Sequence, residues 1–516
     1  MGTKNALSLL LVLCVAGFIS FFYLGQLPLL DPDEPVYAET AREMIQFNDY
    51  ISPRIFNDFW YDKPPMYYWL VAGAFKLFGA GEFGARFPSA LLGVSGTVLI
   101  YLVGRGLFGN RAGMLAALVL TTSLEYFYLS KAAVTDITLT FFMAVSLLAF
   151  LKKRYYLFYG CAALAVLTKG PIGIVFPGII IFIYLMATRR LAEVKKMKLF
   201  SGTLLFLAVA LPWYAIMYQY HGWDFISTFL GFHNVTRFLQ PEHPSGMLWY
   251  YYIPVLFLGF FPWSVFMVQA LYRAITRSCE SNRPALLFLS IWAGVVFLFF
   301  SVSQTKLISY ILPMYPPLAL ITGWYIDKIW SEKNQKSFLL SAKILTLLVI
   351  LLEGTLLYTA KESAFSMRTG IRLTSITFLV MLITVWGMNL KGKYQNAIIA
   401  KVAGMILFSV ALMTNLFPAA AASFSVREFS GQFMEQYNEG QAPVYITKFY
   451  HPGFMFYTNV PGTELNNISQ LKDALQYNQN AYYVIRKTEY DQLAPADKTK
   501  LVIVNEQEDK LLLLQP

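Results

Sequence analysis

The chain has 516 residues, 57% of them hydrophobic and only 14% charged, with a mean hydropathy of +0.50; an ordinary soluble enzyme is excluded. Its 41 Lys and Arg against 30 Asp and Glu leave a net charge of +11. In so apolar a chain that excess is first a topological signal, to be tested against the loops, and no nucleic-acid partner is expected. Cys14, Cys161 and Cys279 lie in or near apolar segments and offer neither a disulfide framework nor a metal-ligand spacing.

The first apolar run, residues 7–30, is long enough to span a hydrocarbon core of ~30 Å and lacks the small-residue cleavage site of a secretory signal. Further apolar segments fall near 86–108, 112–130, 136–151, 155–168, 171–187, 199–218, 248–271, 285–302, 308–326, 338–358, 369–389 and 397–419. The expectation is therefore a polytopic α-helical membrane protein of about thirteen transmembrane helices. With the N-terminus in the cytoplasm, the inner loops carry Arg111; Lys152, Lys153 and Arg154; Arg189, Arg190, Lys195, Lys196 and Lys198; Arg273, Arg277 and Arg283; Lys328, Lys333 and Lys336; and Lys391 and Lys393. Every proposed inner loop is then basic, as the positive-inside rule requires. The segments 136–151 and 155–168 are the weak point, because they rise only ~21–24 Å as helix and are tilted or re-entrant on this reading.

That orientation sends 31–85, 219–247, 303–307 and everything beyond about 425 to the outer face. Residues 1–424 read as a transmembrane catalytic domain with juxtamembrane helices in its outer loops, and 425–516 as a small extracytoplasmic α/β domain. In that tail APVYITKFY, GFMFYTNV, AYYVIRKTEY and KLVIVNE read as strands, and NNISQLKDALQY as an amphipathic helix.

No G-x-G-x-x-G or Walker sequence is present, so no nucleotide cofactor is expected. A lipid or ion transporter would carry an internal repeat with broken helices at matching positions, and no clear one is visible. Acidic and basic residues gather instead at one membrane face. The segment DPDEPVYAETAREM places Asp31, Asp33 and Glu34 before a helical pattern, where capping explains one carboxylate and leaves two. Asp136 stands at the outer start of a span, where an unpaired charge is costly. It caps the helix, faces water, finds Lys131 or lines a cavity. Lys63, Lys169, Arg237 and Lys306 can neutralise a phosphate, with Tyr61 and Tyr310 adding hydroxyl bonds; interfacial anchoring is the alternative for each. His221, His233 and His243 share one outer loop. A divalent ion beside Asp62 and ordinary hydrogen bonding are both open for them.

DPDEPVYAETAREM, DFWYDKPPMYYWL, AAVTDI, LTKGPIGI, WYYIPVLFLGFFPW and TKLISYILPMYPPLAL together resemble the lipid-linked-sugar glycosyltransferases of the C fold type. The chain is most similar to the undecaprenyl-phosphate aminoarabinose transferases that modify lipid A, which are related to protein mannosyltransferases. The resemblance implies transfer from a polyprenyl-phosphate sugar donor to lipid A, or to another envelope glycan or protein, by inversion. It also implies a multi-pass bacterial inner-membrane protein with a periplasmic active site, working as a monomer. The acids implied by the family pattern match Asp33, the first choice as general base, and Asp136, with Glu34 beside them. The donor phosphate falls to Lys63, Arg237, Lys306, Tyr310 and Tyr61. The family's Glu-Lys-Pro turn is Asp62-Lys63-Pro64 here, and its Glu-His before Arg-Phe is replaced by His233-Asn234 before Val235-Thr236-Arg237. Asp62 and His233 are thus the candidate metal ligands.

Overall fold

The helix Thr3–Phe21 is apolar on all sides, burying Val12, Ala16 and Ile19 while exposing Leu7, Leu10 and Phe18. A helix hydrophobic all round suits one packed face and one lipid face. The same composition recurs along the chain, whose computed structural model describes residues 3–236, 248–276, 282–362, 365–437, 442–477 and 480–516.

Among the described residues, seven helices are long and apolar enough to cross a membrane: Thr3–Phe21, Glu82–Phe108, Leu199–Phe232, Arg283–Val302, Gln335–Ala360, Met367–Leu390 and Tyr394–Ala421. An eighth span arises if the pair Tyr252–Gly259 and Ser264–Thr276, bent by 109°, counts as one. This corrects the expectation of about thirteen. The apolar stretch 112–130 breaks at Thr122-Ser123 into helices of 12 and 6 residues. Asp136–Leu151 and Ile172–Ala187 have 16 residues each, and Tyr155–Lys169 has 15. The stretch 308–326 is divided between a 3-10 helix, Ile308–Met314, and the helix Tyr315–Ser331 of 17 residues. At ~1.5 Å per residue such helices reach ~24 Å or little more, short of the ~30 Å core. Hydropathy counts the apolar residues of the turns as if they extended the helices.

The chain forms two compact units. One comprises Met1–Leu24, Tyr61–Tyr67 and Arg86–Leu416; the other Gly25–Trp60, Tyr68–Ala85 and Phe417–Pro516. In the first, small residues set the helix spacing: a Cβ on Gly323 of the helix Tyr315–Ser331 would lie 2.6 Å from the Ala116 Cα of Asn110–Thr121. Only glycine admits that approach.

In the second unit, β1 (Arg54–Ile55) and β2 (Asp58–Phe59) form a hairpin whose loop residues Phe56 and Asn57 have φ of 60° and 66°, the conformation that matches strand twist. A five-stranded sheet has the order β4-β3-β5-β7-β6. Its β3 (Val444–Thr447) runs parallel to β4 (Thr463–Leu465) and β5 (Ala481–Arg486), and β7 (Lys510–Gln515) runs antiparallel to β5 and to β6 (Val502–Gln507). Both faces are covered. Tyr483, Ile485, Leu511 and Leu513 pack with Leu471 and Leu475 on one side, while Val484 and Leu512 pack with Phe429, Phe433 and Phe454 on the other. Alternate residues serve alternate faces, so KLLLLQ reads as an unbroken apolar run.

GFMFYTNV, expected as a strand, lies mostly in the helix His451–Thr458, started by Pro452 in its first turn and closed by Asn459 at φ 57°. Pro452 and the left-handed Asn459 are the local cues that outweigh its aromatic, strand-like composition. Asp31 joins the N-terminal part of this unit to its C-terminal part. Its N–H donates to the Phe424 carbonyl over 2.8 Å, and its Oδ2 accepts the Val426 N–H over 2.9 Å.

Candidate active site

Two ion pairs of the first unit converge on Lys169. Lys169 ends the helix Tyr155–Lys169, which Gly170 terminates at φ 78°, and Asp136 begins the helix Asp136–Leu151. A cation at a helix C-terminus and an anion at an N-terminus each complement the local dipole. Lys169 Nζ donates to Asp136 Oδ1 over 2.7 Å. Lys131, the nearer lysine in sequence, instead donates to the carbonyls of Ser20 and Phe22.

The second pair comes from the turn before Pro64, where Lys63 Nζ donates to Asp62 Oδ1 over 2.8 Å. The Asp62 carboxylate acts electrostatically on Lys169, as does Tyr310, whose ring centroid is 4.8 Å from the Lys169 ammonium. Asp62, Asp136, Lys169 and Tyr310 therefore share one polar cluster, to which Asp62 attaches Lys63. Tyr61 places its ring 5.3 Å from His221 and 5.8 Å from Phe225. Lys306 is buried and donates to the Ser303 carbonyl over 2.7 Å, at the turn leading into the 3-10 helix that carries Tyr310. The Tyr252 hydroxyl anchors the same turn, donating to the Leu307 carbonyl over 3.0 Å.

A cluster with two lysines each held by an aspartate is matched in charge. An incoming phosphate offers more acceptor oxygens than either carboxylate, and charge-assisted bonds in a partly buried site are strong.

Asp33 and Glu34 open the helix Asp33–Gln46 of the second unit. Glu34 is buried, and its Oε2 accepts the Leu30 N–H over 2.9 Å, closing the preceding turn. Burial raises the Asp31 carboxyl well above its usual range, with the Val426 N–H and Lys510 opposing. The Gly453 backbone also bears on the Asp31 carboxyl. Farther along the helix, Arg42 donates to Glu39 over 2.7 Å and to the Met455 and Phe456 carbonyls over 3.0 Å each. Burial pushes Glu39 up to about 7 and raises Glu43, whose oxygens accept the Asn57 N–H over 3.1 and 3.2 Å.

Arg237 and His243 lie outside the described residues, as does the side chain of His233. Of the expected metal ligands only Asp62 is placed, with one oxygen engaged by Lys63. Among the described residues no group of three or more His, Cys, Asp or Glu could hold a metal ion. Sequence reasoning passed over Glu125, a buried carboxyl receiving the Tyr315 hydroxyl. A lone acid inside the apolar run LTTSLEYFYL was the available signal.

The membrane scaffold has counterparts among known proteins. Residues 62–216 match the family profile described as dolichyl-phosphate-mannose-protein mannosyltransferase. An uncharacterized protein of Aquifex aeolicus is 31% identical over 359 residues, covering 70% of this chain and 81% of that one. The undecaprenyl phosphate-alpha-4-amino-4-deoxy-L-arabinose arabinosyl transferase of Aeromonas hydrophila subsp. hydrophila is 30% identical over 343 residues. That match covers 63% of this chain and 61% of the relative's length, under two thirds. The crystal structure of ArnT from Cupriavidus metallidurans bound to undecaprenyl phosphate superimposes with a TM-score of 0.83 at 22% identity, covering 100% of this chain and 99% of that one. The chain thus has the fold of ArnT over its whole length and carries the mannosyltransferase profile in residues 62–216.

Proposed function

We propose that this protein transfers a sugar from a polyprenyl-phosphate donor, of the undecaprenyl type, to an acceptor at the periplasmic face of a bacterial inner membrane. The leading reading is 4-amino-4-deoxy-L-arabinose to lipid A. The observation that carries it is the convergence of the Asp62–Lys63 pair on Lys169, Asp136 and Tyr310, a constellation suited to neutralising a leaving phosphate. The aminoarabinosyl transferase among the relatives directs the choice of sugar.

In this reading the acceptor oxygen attacks the anomeric carbon as the bond from that carbon to the phosphate oxygen breaks. The electron pair leaves with the polyprenyl phosphate, and direct displacement inverts the anomeric centre. Lys63, Lys306, Tyr310 and Arg237 take the developing charge, with Tyr61 at the margin. Asp33 accepts the acceptor's proton, assisted or replaced by Asp136. Glu34 serves the turn through Leu30 and the reaction only indirectly. The match of residues 62–216 to a protein mannosyltransferase profile favours a second reading, with a protein as acceptor. Mass spectrometry of lipid A and of envelope proteins, from cells with and without the gene, tests both. Lipid A unchanged under conditions that make the donor removes the leading reading.

A further inference from the structure

Glu125 sits in the short helix Leu124–Leu129 and is 5% exposed. Its Oε2 receives the hydroxyl of Tyr315, which is itself fully buried, and its Oε1 has no hydrogen-bond partner among the described residues. Among the described residues it makes no ion pair. Among the described residues, the titratable groups that act on it from neighbouring elements are Tyr315, Tyr251, Tyr252 and Asp136. Three are neutral phenols and the fourth is a second carboxylate, already committed to Lys169. Gly259 closes the site, since a Cβ there would collide with the Tyr315 hydroxyl and Glu125 Oε2. A buried carboxylate with no cation, beside another anion and shielded from water, is costly to ionise.

We propose that Glu125 is a positioning residue that works as the neutral acid, so that it adds no second negative charge beside Asp136. This rests on the transferase reading above, because its purpose is to let an anionic phosphate enter. A second negative charge at Glu125 would oppose the donor; the protonated carboxyl supplies shape and a hydrogen bond to Tyr315 without that repulsion. Glu125→Gln reproduces the neutral acid.

Infrared difference spectroscopy of the purified full chain, titrated with alkali, reads the protonation directly, and steady-state transfer reads its consequence. The expected result is a protonated-carboxyl carbonyl band in the wild type that Glu125→Gln lacks. The variant should transfer within about twofold of the wild-type rate. In the wild type the donor KM rises on the alkaline side, and in Glu125→Gln that rise is absent. A band unchanged by the substitution, or a folded variant that no longer transfers, overturns the proposal. If Glu125→Gln does not accumulate, Tyr315→Phe removes the hydroxyl and must shift the band; an unshifted band overturns the proposal equally. Wild-type protein that shows the band and transfers nothing supports the neutral acid while sinking the transferase reading, so the two failures are distinct.

Discussion

Lys169 donates to Asp136 across 2.7 Å with only 16% and 9% of the two side chains exposed, so the end of one helix is locked to the start of another by a buried charge pair. Removing one partner strands the other. Lys169→Met should destabilise the folded protein by about 3–5 kcal/mol and reduce transfer. The double variant with Asp136→Asn should lose less stability than the two single losses added together. Thermal unfolding of the purified single and double variants in detergent checks this, with strict additivity as the contrary result.

Arg42 caps the C-terminal turn of the helix His451–Thr458 through the Met455 and Phe456 carbonyls. Hydrogen bonds from a charged donor contribute about 1.5–3 kcal/mol each, so Arg42→Ala should lower the melting temperature clearly. Arg42→Lys should recover only part of the loss, because an ammonium cannot reproduce the planar fork. Full recovery with lysine would contradict the geometry.

Glu39 gives a pH dependence with a definite sign. Burial raises its folded carboxyl from an ordinary 4.5 to about 7, so between those values the folded state holds more protons than the unfolded one. Its contribution is fully present below the unfolded value and is lost as pH rises toward the folded one. Thermal stability should therefore fall between about pH 5 and about pH 8, and Glu39→Gln should flatten that fall. Melting curves across this range decide it; an unchanged slope in the variant is the contrary result.

Asp33→Asn keeps the shape of the first turn of its helix and removes the base. If Asp33 takes the acceptor's proton, kcat should drop by about 10²–10⁴ with the protein still folded and its donor KM little changed. Normal turnover with unchanged expression removes the assignment and turns attention to Asp136.

The sequence displayed the chemistry more plainly than the architecture. Asp136, Lys63, Lys169 and Tyr310 were visible as charged or hydroxyl groups near apolar segments. Their mutual arrangement was not, because Asp136 and Lys169 lie 33 residues apart and no local pattern pairs them. Only the tertiary packing selects Lys169 over Lys131. The span count failed for a local reason: the run 112–130 breaks at Thr122-Ser123 into two short helices, and Asp136–Leu151, Tyr155–Lys169 and Ile172–Ala187 are only 15 or 16 residues long. In the second unit the period-2 pattern of AYYVIR marked a strand, whereas GFMFYT has the composition of one and becomes a helix behind Pro452. Glu125 went unread because a single acid within an apolar run gives no hint of its partner, Tyr315, 190 residues away.

The most direct test is reconstitution of the purified protein in proteoliposomes with undecaprenyl-phosphate-linked 4-amino-4-deoxy-L-arabinose and lipid A, followed by mass spectrometry of both lipids. The expected result is lipid A heavier by one aminoarabinose residue, with undecaprenyl phosphate released in equal amount. Intact donor, or donor moved between leaflets with no new glycosidic bond, would contradict it.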